Sequence, residues 1–136
     1  MIKIREIYRC PICGNIVEIL HEGAELTCCG KPMQRLRENI VDASYEKHVP
    51  VVEAVEGGFR VRVGNTDHPM ADEHYIQWVE LLTPRCVLRR ELHPHDKPEA
   101  IFLLDKTTAC GTMAQTCSIN NVVARAYCNL HGLWKM

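Results

Sequence analysis

At 136 residues the chain is sized for one ordinary domain, or for one small domain with a modest appendage. A formal charge of -1, with no Lys/Arg block longer than a pair and no stretch approaching a membrane span, gives no basis for a nucleic-acid or membrane partner. The start, Met1-Ile2-Lys3-Ile4-Arg5-Glu6, has no apolar leader region, so the expectation is a cytoplasmic protein, and eight cysteines in that compartment point to metal or catalysis before disulfides.

Four of the cysteines come first, as Cys10-Pro11-Ile12-Cys13-Gly14 and Cys28-Cys29-Gly30. A C-x-x-C pair followed by glycine is a metal knuckle: the turn aims two sulfurs at one ion, and Gly14 allows the positive φ that turns backbone N–H groups toward the thiolates. The second pair is adjacent rather than spaced, a departure from the usual zinc ribbon. Four thiolates still specify tetrahedral zinc or iron. His21, between the pairs, reads as a surface histidine because four sulfurs complete the site. A segment this short cannot bury a self-sufficient core, so its metal supplies much of its folding free energy. The runs Ile7-Tyr8-Arg9 and Ile16-Val17-Glu18-Ile19-Leu20 predict small strands around the ion. Polar Arg37-Glu38-Asn39 marks a boundary, giving expected domains of 1–37 and 38–136.

From Ile40 onward the pattern is β. Val49–Val55 and Phe59–Val63 flank Glu56-Gly57-Gly58, a hairpin signal, and Phe59, Val61 and Val63 alternate with Arg60 and Arg62, one face buried and one wet. Further strands are expected over Tyr75–Leu82, Val87–Leu92, Ala100–Leu104 and Asn121–Tyr127. Short strands separated by Pro, Gly and Asp turns predict a mainly β chain, a small metal domain followed by an antiparallel sandwich.

Threaded through this second segment are His48, His68, His74 and the run Cys128-Asn129-Leu130-His131-Gly132-Leu133-Trp134. One thiolate and four imidazoles are thus available to a single ion. A thiolate joined to several histidines narrows the choice toward a redox metal, and five donors leave one octahedral position open for a substrate. C-x-x-H is itself a metal spacing. His68 and His74, with five residues between them, suit a loop rather than one helical turn. Spacing alone leaves the alternative open that each histidine is an ordinary surface or core residue, and that Glu46-Lys47-His48 is a solvated loop.

The arrangement of Cys10, Cys13, Cys28 and Cys29 resembles the desulforedoxin module. Glu46-Lys47-His48-Val49-Pro50, His68-Pro69-Met70, His74 and the Cys128–Trp134 run resemble the signatures of desulfoferrodoxin, the two-iron superoxide reductase family, in order over almost the whole chain. The resemblance implies two iron ions per chain and no haem, flavin or nicotinamide. One iron would be held by the four cysteines. The other, ferrous, would have His48, His68, His74 and His131 around it and Cys128 as the axial thiolate. It further implies an immunoglobulin-like sandwich for the second domain, a homodimer, and one-electron reduction of superoxide to hydrogen peroxide as detoxification in an anaerobe or microaerophile. Lys47 would guide the anion and Glu46 would cap the oxidised iron. With no flavin or nicotinamide fingerprint, the electron donor is expected to be a protein, such as rubredoxin.

One stretch departs from the family pattern. Thr107–Asn120 reads as an insertion carrying Cys110 and Cys117. A longer loop between two strands is one reading; a redox-switchable disulfide is the other. Cys86 reads as a small buried hydrophobe, and His93-Pro94-His95-Asp96 as a solvated turn. Two rivals to the reductase stand at this point: a zinc-ribbon binding module with structural metals, and a pure electron carrier that would leave the four histidines unexplained.

Overall fold

Alternation of apolar and polar residues in runs of three to six dictates strands, and strands are what form. The computed structural model describes residues 1–41, 48–64, 67–111 and 117–136, in two compact units, Met1–Arg37 and Glu38–Met136.

The first unit is built from β1 (Ile7–Arg9), β2 (Ile16–Glu18), β3 (Thr27–Cys28), β4 (Lys31–Pro32) and β5 (Gln34–Arg35). They make a three-stranded sheet ordered β2-β1-β5 and a β3–β4 hairpin. Its buried apolar residues are Ile2, Ile7, Cys10 and Ile19, while Met1, Ile4, Ile12 and Leu20 face solvent. So little apolar burial falls short of the ordering entropy of the segment.

The second unit contains β6 (Pro50–Val55), β7 (Gly58–Val63), β8 (Ile76–Leu82), β9 (Val87–Glu91), β10 (Glu99–Leu103), a helical turn α1 (Lys106–Ala109), a 3₁₀ turn (Ile119–Asn121), β11 (Val123–Cys128) and β12 (Gly132–Lys135). Two antiparallel sheets result, ordered β10-β7-β6 and β12-β11-β8-β9, the three-against-four arrangement of an immunoglobulin-like sandwich. The β6–β7 turn is the two-residue Glu56-Gly57, with Val55 opposite Gly58 and Gly57 at φ 78°. Any side chain at Gly58 would run into the carbonyl of Phe102 on the neighbouring strand, so this position requires glycine.

The core lies between the sheets. Phe59, Val61 and Val63 from β7 meet Ile76, Val79 and Leu81 from β8 and Ala124, Ala126 and Cys128 from β11. Arg60 and Arg62 sit on the other face, as the alternation predicts. Two charged residues are nonetheless fully enclosed. Glu80 accepts from Arg125 Nη2 at 2.8 Å and Nε at 3.2 Å, and from Trp78 Nε1 at 2.6 Å, while Arg125 Nη1 reaches Glu38 at 3.2 Å. With its donors and acceptors met, the pair is tolerated; removing one partner would strand a buried charge at a cost of about 3–5 kcal/mol. Asn39 extends the β12 edge, its N–H donating to Leu133 O at 2.9 Å and its carbonyl accepting from Lys135 N at 2.9 Å.

Candidate metal centres

Cys10, Cys13, Cys28 and Cys29 converge in the first unit, their sulfurs all within 4.8 Å of one another. Left-handed backbone makes this possible: φ is 81° at Gly14, 74° at Gly30 and 53° at Cys29. The last value explains how adjacent cysteines serve one ion, because left-handed backbone at the second of them swings its sulfur back beside the first. A tetrahedral ion about 2.3 Å from each sulfur requires sulfur–sulfur edges of about 3.8 Å. Cys13 to Cys28 is 3.6 Å and Cys28 to Cys29 is 3.9 Å, so the cradle fits such an ion.

The electrostatics suit a bound cation. Backbone N–H groups of Cys13 and Ile12 donate to Cys10 Sγ at 3.4 Å each, and the Cys13 N–H above all, assisted by that of Ile12 against the opposing effect of burial, brings the Cys10 thiol from 9.0 down to about 6. Cys29 goes the other way, pushed up to about 12 by the Cys13 sulfur first and that of Cys28 next. Crowded sulfurs cannot all ionise alone. A metal that takes them as thiolates must displace protons, so its affinity rises with pH.

The second cluster forms at one end of the sandwich. Ligand atoms of His48, His74, Cys128 and His131 lie within 4.8 Å of one another, and the His68 ring packs 4.5 Å from that of His48 and 4.8 Å from that of His74, centroid to centroid. His48 Nε2 is 3.2 Å from His131 Nδ1, and Cys128 Sγ is 3.7 Å from the same nitrogen. Two imidazoles side by side on an ion at about 2.1 Å stand about 3.0 Å apart, so this spacing is that of neighbouring ligands. Nitrogen donors with one thiolate are a set for iron, zinc or copper rather than for calcium or magnesium.

Each ligand has a local cause. β11 runs regularly until its register against β8 shifts between Tyr127 and Cys128, so that Cys128 pairs Ile76 and not Gln77; such a bulge re-aims a side chain. The chain then turns through Asn129-Leu130-His131 and closes on Gly132, at φ 86°, opposite Cys128. This tight loop brings the Cys128 sulfur and the His131 ring together. His68 Nδ1 lies 2.7 Å from its neighbour's carbonyl, Pro69 O, which fixes that nitrogen as the donor and leaves Nε2 as the nitrogen with a lone pair for a metal. His74 sits in a small turn closed by Ala71 N to His74 O at 2.9 Å and His74 N to Ala71 O at 3.1 Å. Burial grades across the site: Cys128, His48 and His68 are enclosed, His74 is half-buried and His131 is exposed. The site thus has a closed floor and an open rim.

Three positioning residues were not apparent in the sequence. Trp134 stacks on His48, ring centroids 4.5 Å apart, and its indole N–H donates to His131 O at 3.1 Å. Asn129 Oδ1 accepts from Tyr75 N at 2.9 Å and its Nδ2 donates to Glu73 O at 3.1 Å, clasping both sides of His74. Pro69 acts through its carbonyl. Asn129 and Trp134 lie inside the Cys128–Trp134 run and were hidden by its ligands.

Glu46 and Lys47 lie outside the described residues. His21 is exposed. His93 and His95 are exposed too, each beside a carboxylate: Glu91 at 3.2 Å and Asp72 at 3.2 Å. In the inserted stretch, Asp105 caps α1 through Thr107 N at 3.0 Å, and Cys110 and Cys117 are joined by a disulfide with Cα atoms 5.4 Å apart. Cys86 is half-buried against the same apolar core rather than enclosed in it.

The family model described as Desulfoferrodoxin matches residues 40–136, and that described as Desulfoferrodoxin, N-terminal domain, matches residues 3–36. A desulfoferrodoxin of Syntrophotalea carbinolica is 51% identical over 95% of this chain and 93% of its own. A desulfoferrodoxin homologue of Archaeoglobus fulgidus is 42% identical over 99% and 98%. Among solved structures, the superoxide reductase of Treponema pallidum superposes with a TM-score of 0.70 at 29% identity, covering 96% of both chains.

Proposed function

The chain belongs to the desulfoferrodoxin family, and from that premise we propose that it is a superoxide reductase: superoxide, one electron and two protons give hydrogen peroxide. The observation that carries this reading is the convergence of His48, His74, Cys128 and His131 within 4.8 Å, with the His68 ring packed among them. These five hold the catalytic iron, and Cys10, Cys13, Cys28 and Cys29 hold a second. When bound at the histidine–cysteine site, ferrous iron supplies the single electron and an open coordination position for a small anion.

The remaining work belongs to the side chains. Neutral imidazoles leave the centre net cationic when one thiolate is the only anionic ligand, so a superoxide anion is attracted. Enclosure of Cys128 keeps its negative charge from water, and it would make the thiolate a strong electron donor to a metal held there. Exposed His131 and half-buried His74 leave the rim wet, so bulk water delivers both protons and intact peroxide leaves. The Pro69 carbonyl holds the His68 tautomer, and Trp134 holds the plane of His48.

Lys47 and Glu46 precede His48 in the chain. The Lys47 ammonium raises the local superoxide concentration, and the Glu46 carboxylate, a hard donor, favours the oxidised metal. Electrons come from a rubredoxin-like protein, and the enzyme works as a cytoplasmic homodimer.

The test is stoichiometric. Over many turnovers, with reduced rubredoxin in large excess over iron-loaded protein, one peroxide is expected per superoxide consumed, with the rubredoxin reoxidised in step. Lys47→Ala should slow the association at low ionic strength and flatten its salt dependence. One peroxide per two superoxides would mean dismutation. Zinc in both sites, with inertness after iron reconstitution, would leave only a binding module.

A further inference from the structure

Eight cysteines are present, and the two metal clusters use five of them. The other three, Cys86, Cys110 and Cys117, all belong to or pack against the sandwich core, and Cys110 and Cys117 are bonded to each other. The neighbourhood is firmly built. The Ala109 carbonyl accepts from Thr83 Oγ1 at 2.8 Å and from Arg85 N at 3.1 Å, and Cys117 N donates to Lys106 O at 3.0 Å. Both ends of the disulfide are therefore held by backbone hydrogen bonds at or beside the two cysteines.

The two sulfurs are not equivalent. Cys110 is half-buried and reachable, whereas Cys117 is 3% exposed. The Arg85 side chain lies directly over Gly111, the residue after Cys110: a Cβ built there would meet Arg85 Cδ at 2.8 Å and Nη1 at 3.6 Å, with φ at 90°. Glycine at 111 thus lets the Arg85 side chain lie against the backbone of the residue that follows Cys110. A cationic side chain in the neighbourhood of a cysteine favours its thiolate, the form that reacts. In the cytoplasmic location proposed above, a disulfide is characteristically one that turns over.

We infer that Cys110 and Cys117 form a peroxide-reactive dithiol, a second redox activity that consumes the hydrogen peroxide released at the iron site. The Cys110 thiolate attacks one peroxide oxygen; the O–O bond breaks, hydroxide leaves and takes a proton, and Cys110 becomes a sulfenic acid. The Cys117 thiol then attacks that sulfur, forming the S–S bond and releasing a second water. Two thiols and one peroxide give one disulfide and two waters, and a protein dithiol of the thioredoxin class returns the two electrons by exchange. As a use for the product the idea rests on the superoxide reductase reading, but peroxide can be supplied directly, so the two stand or fall separately.

The full-length, iron-loaded protein is reduced with a dithiol, freed of reductant and given a stoichiometric amount of hydrogen peroxide. Quenching with an alkylating agent and trypsin then isolates Thr107–Arg125, one peptide containing both cysteines and lighter by two hydrogens when they are joined. The disulfide is expected to form faster than Cys86 is lost to alkylation, and Arg85→Gln should slow it by about three- to tenfold through a smaller thiolate fraction. Cys110→Ser should release the full peroxide yield from superoxide, where reduced wild-type protein shows a deficit matching its dithiol content. Oxidation no faster than at Cys86, or a disulfide that the dithiol leaves intact in the folded protein, would make it a structural staple and overturn the proposal. Direct peroxide oxidation without any superoxide consumption would support the dithiol and sink only the superoxide reading.

Discussion

The two units solve the same problem, holding a metal, with opposite resources. Met1–Arg37 has four buried apolar residues, strands of two or three residues, and four sulfurs that repel one another's ionisation. Glu38–Met136 has a continuous core between two sheets and places its ligands at the ends of elements that the core already holds. In the first unit the metal is part of the fold. In the second the fold precedes the metal, which is free to serve chemistry. A site built on a rigid frame can keep an open position without collapsing, whereas a site that is itself the frame must be closed.

Metal removal should separate the units most sharply. A chelator acting on the Cys10/Cys13/Cys28/Cys29 site removes a binding energy of about 10 kcal/mol or more, which for such a segment is its folding energy. Amides of β1 and β2 should then exchange as freely as in an unfolded chain, while those of β7 and β8 stay protected. Protection retained in β1 would mean that the small unit folds without its ion.

Phe59→Ala reverses the experiment. Deleting a fully enclosed ring should cost about 3–5 kcal/mol, lowering the unfolding midpoint of the second unit and leaving the visible spectrum of the four-cysteine centre unchanged. A coincident loss of both signals would show that the units unfold as one.

Asn129→Ala probes the finer claim that positioning, not ligand count, sets the histidine–cysteine site. With the clasp on Tyr75 and Glu73 gone, metal affinity there should fall about 10- to 100-fold, with the four-cysteine site unaffected. Unchanged affinity would mean that the Ala71–His74 turn suffices by itself.

The sequence disclosed the two units unequally as well. Arg60 and Arg62 alternating with Phe59, Val61 and Val63 marked a strand, its face and its hairpin, because period two is a local property. Strands β3 to β5 are too short to show any period, and β12 overlaps the Cys128–Trp134 run, where ligand spacing masks it. Arg125 within a strand reads as a wet residue; only Glu80, 45 positions earlier, makes its burial acceptable. Likewise the spacing of His68, His74, Cys128 and His131 indicated donors without saying which nitrogen each presents. The Pro69 carbonyl decides it for His68, through a contact formed only in the fold. The left-handed Cys29 was equally invisible, since a Cys-Cys pair looks too crowded until its φ of 53° is known.

The most direct test of the division of labour sets Cys128→Ser beside Cys13→Ser and measures superoxide consumption with peroxide yield on iron-loaded protein. Cys128→Ser is expected to keep the sandwich folded and lose the activity by more than about 100-fold, since even residues supporting a ligand cost 10- to 100-fold. Cys13→Ser should lose the four-cysteine centre yet still reduce superoxide stoichiometrically when given reductant. Activity that survives Cys128→Ser, or disappears with Cys13→Ser while the sandwich remains folded and loaded, would contradict the account.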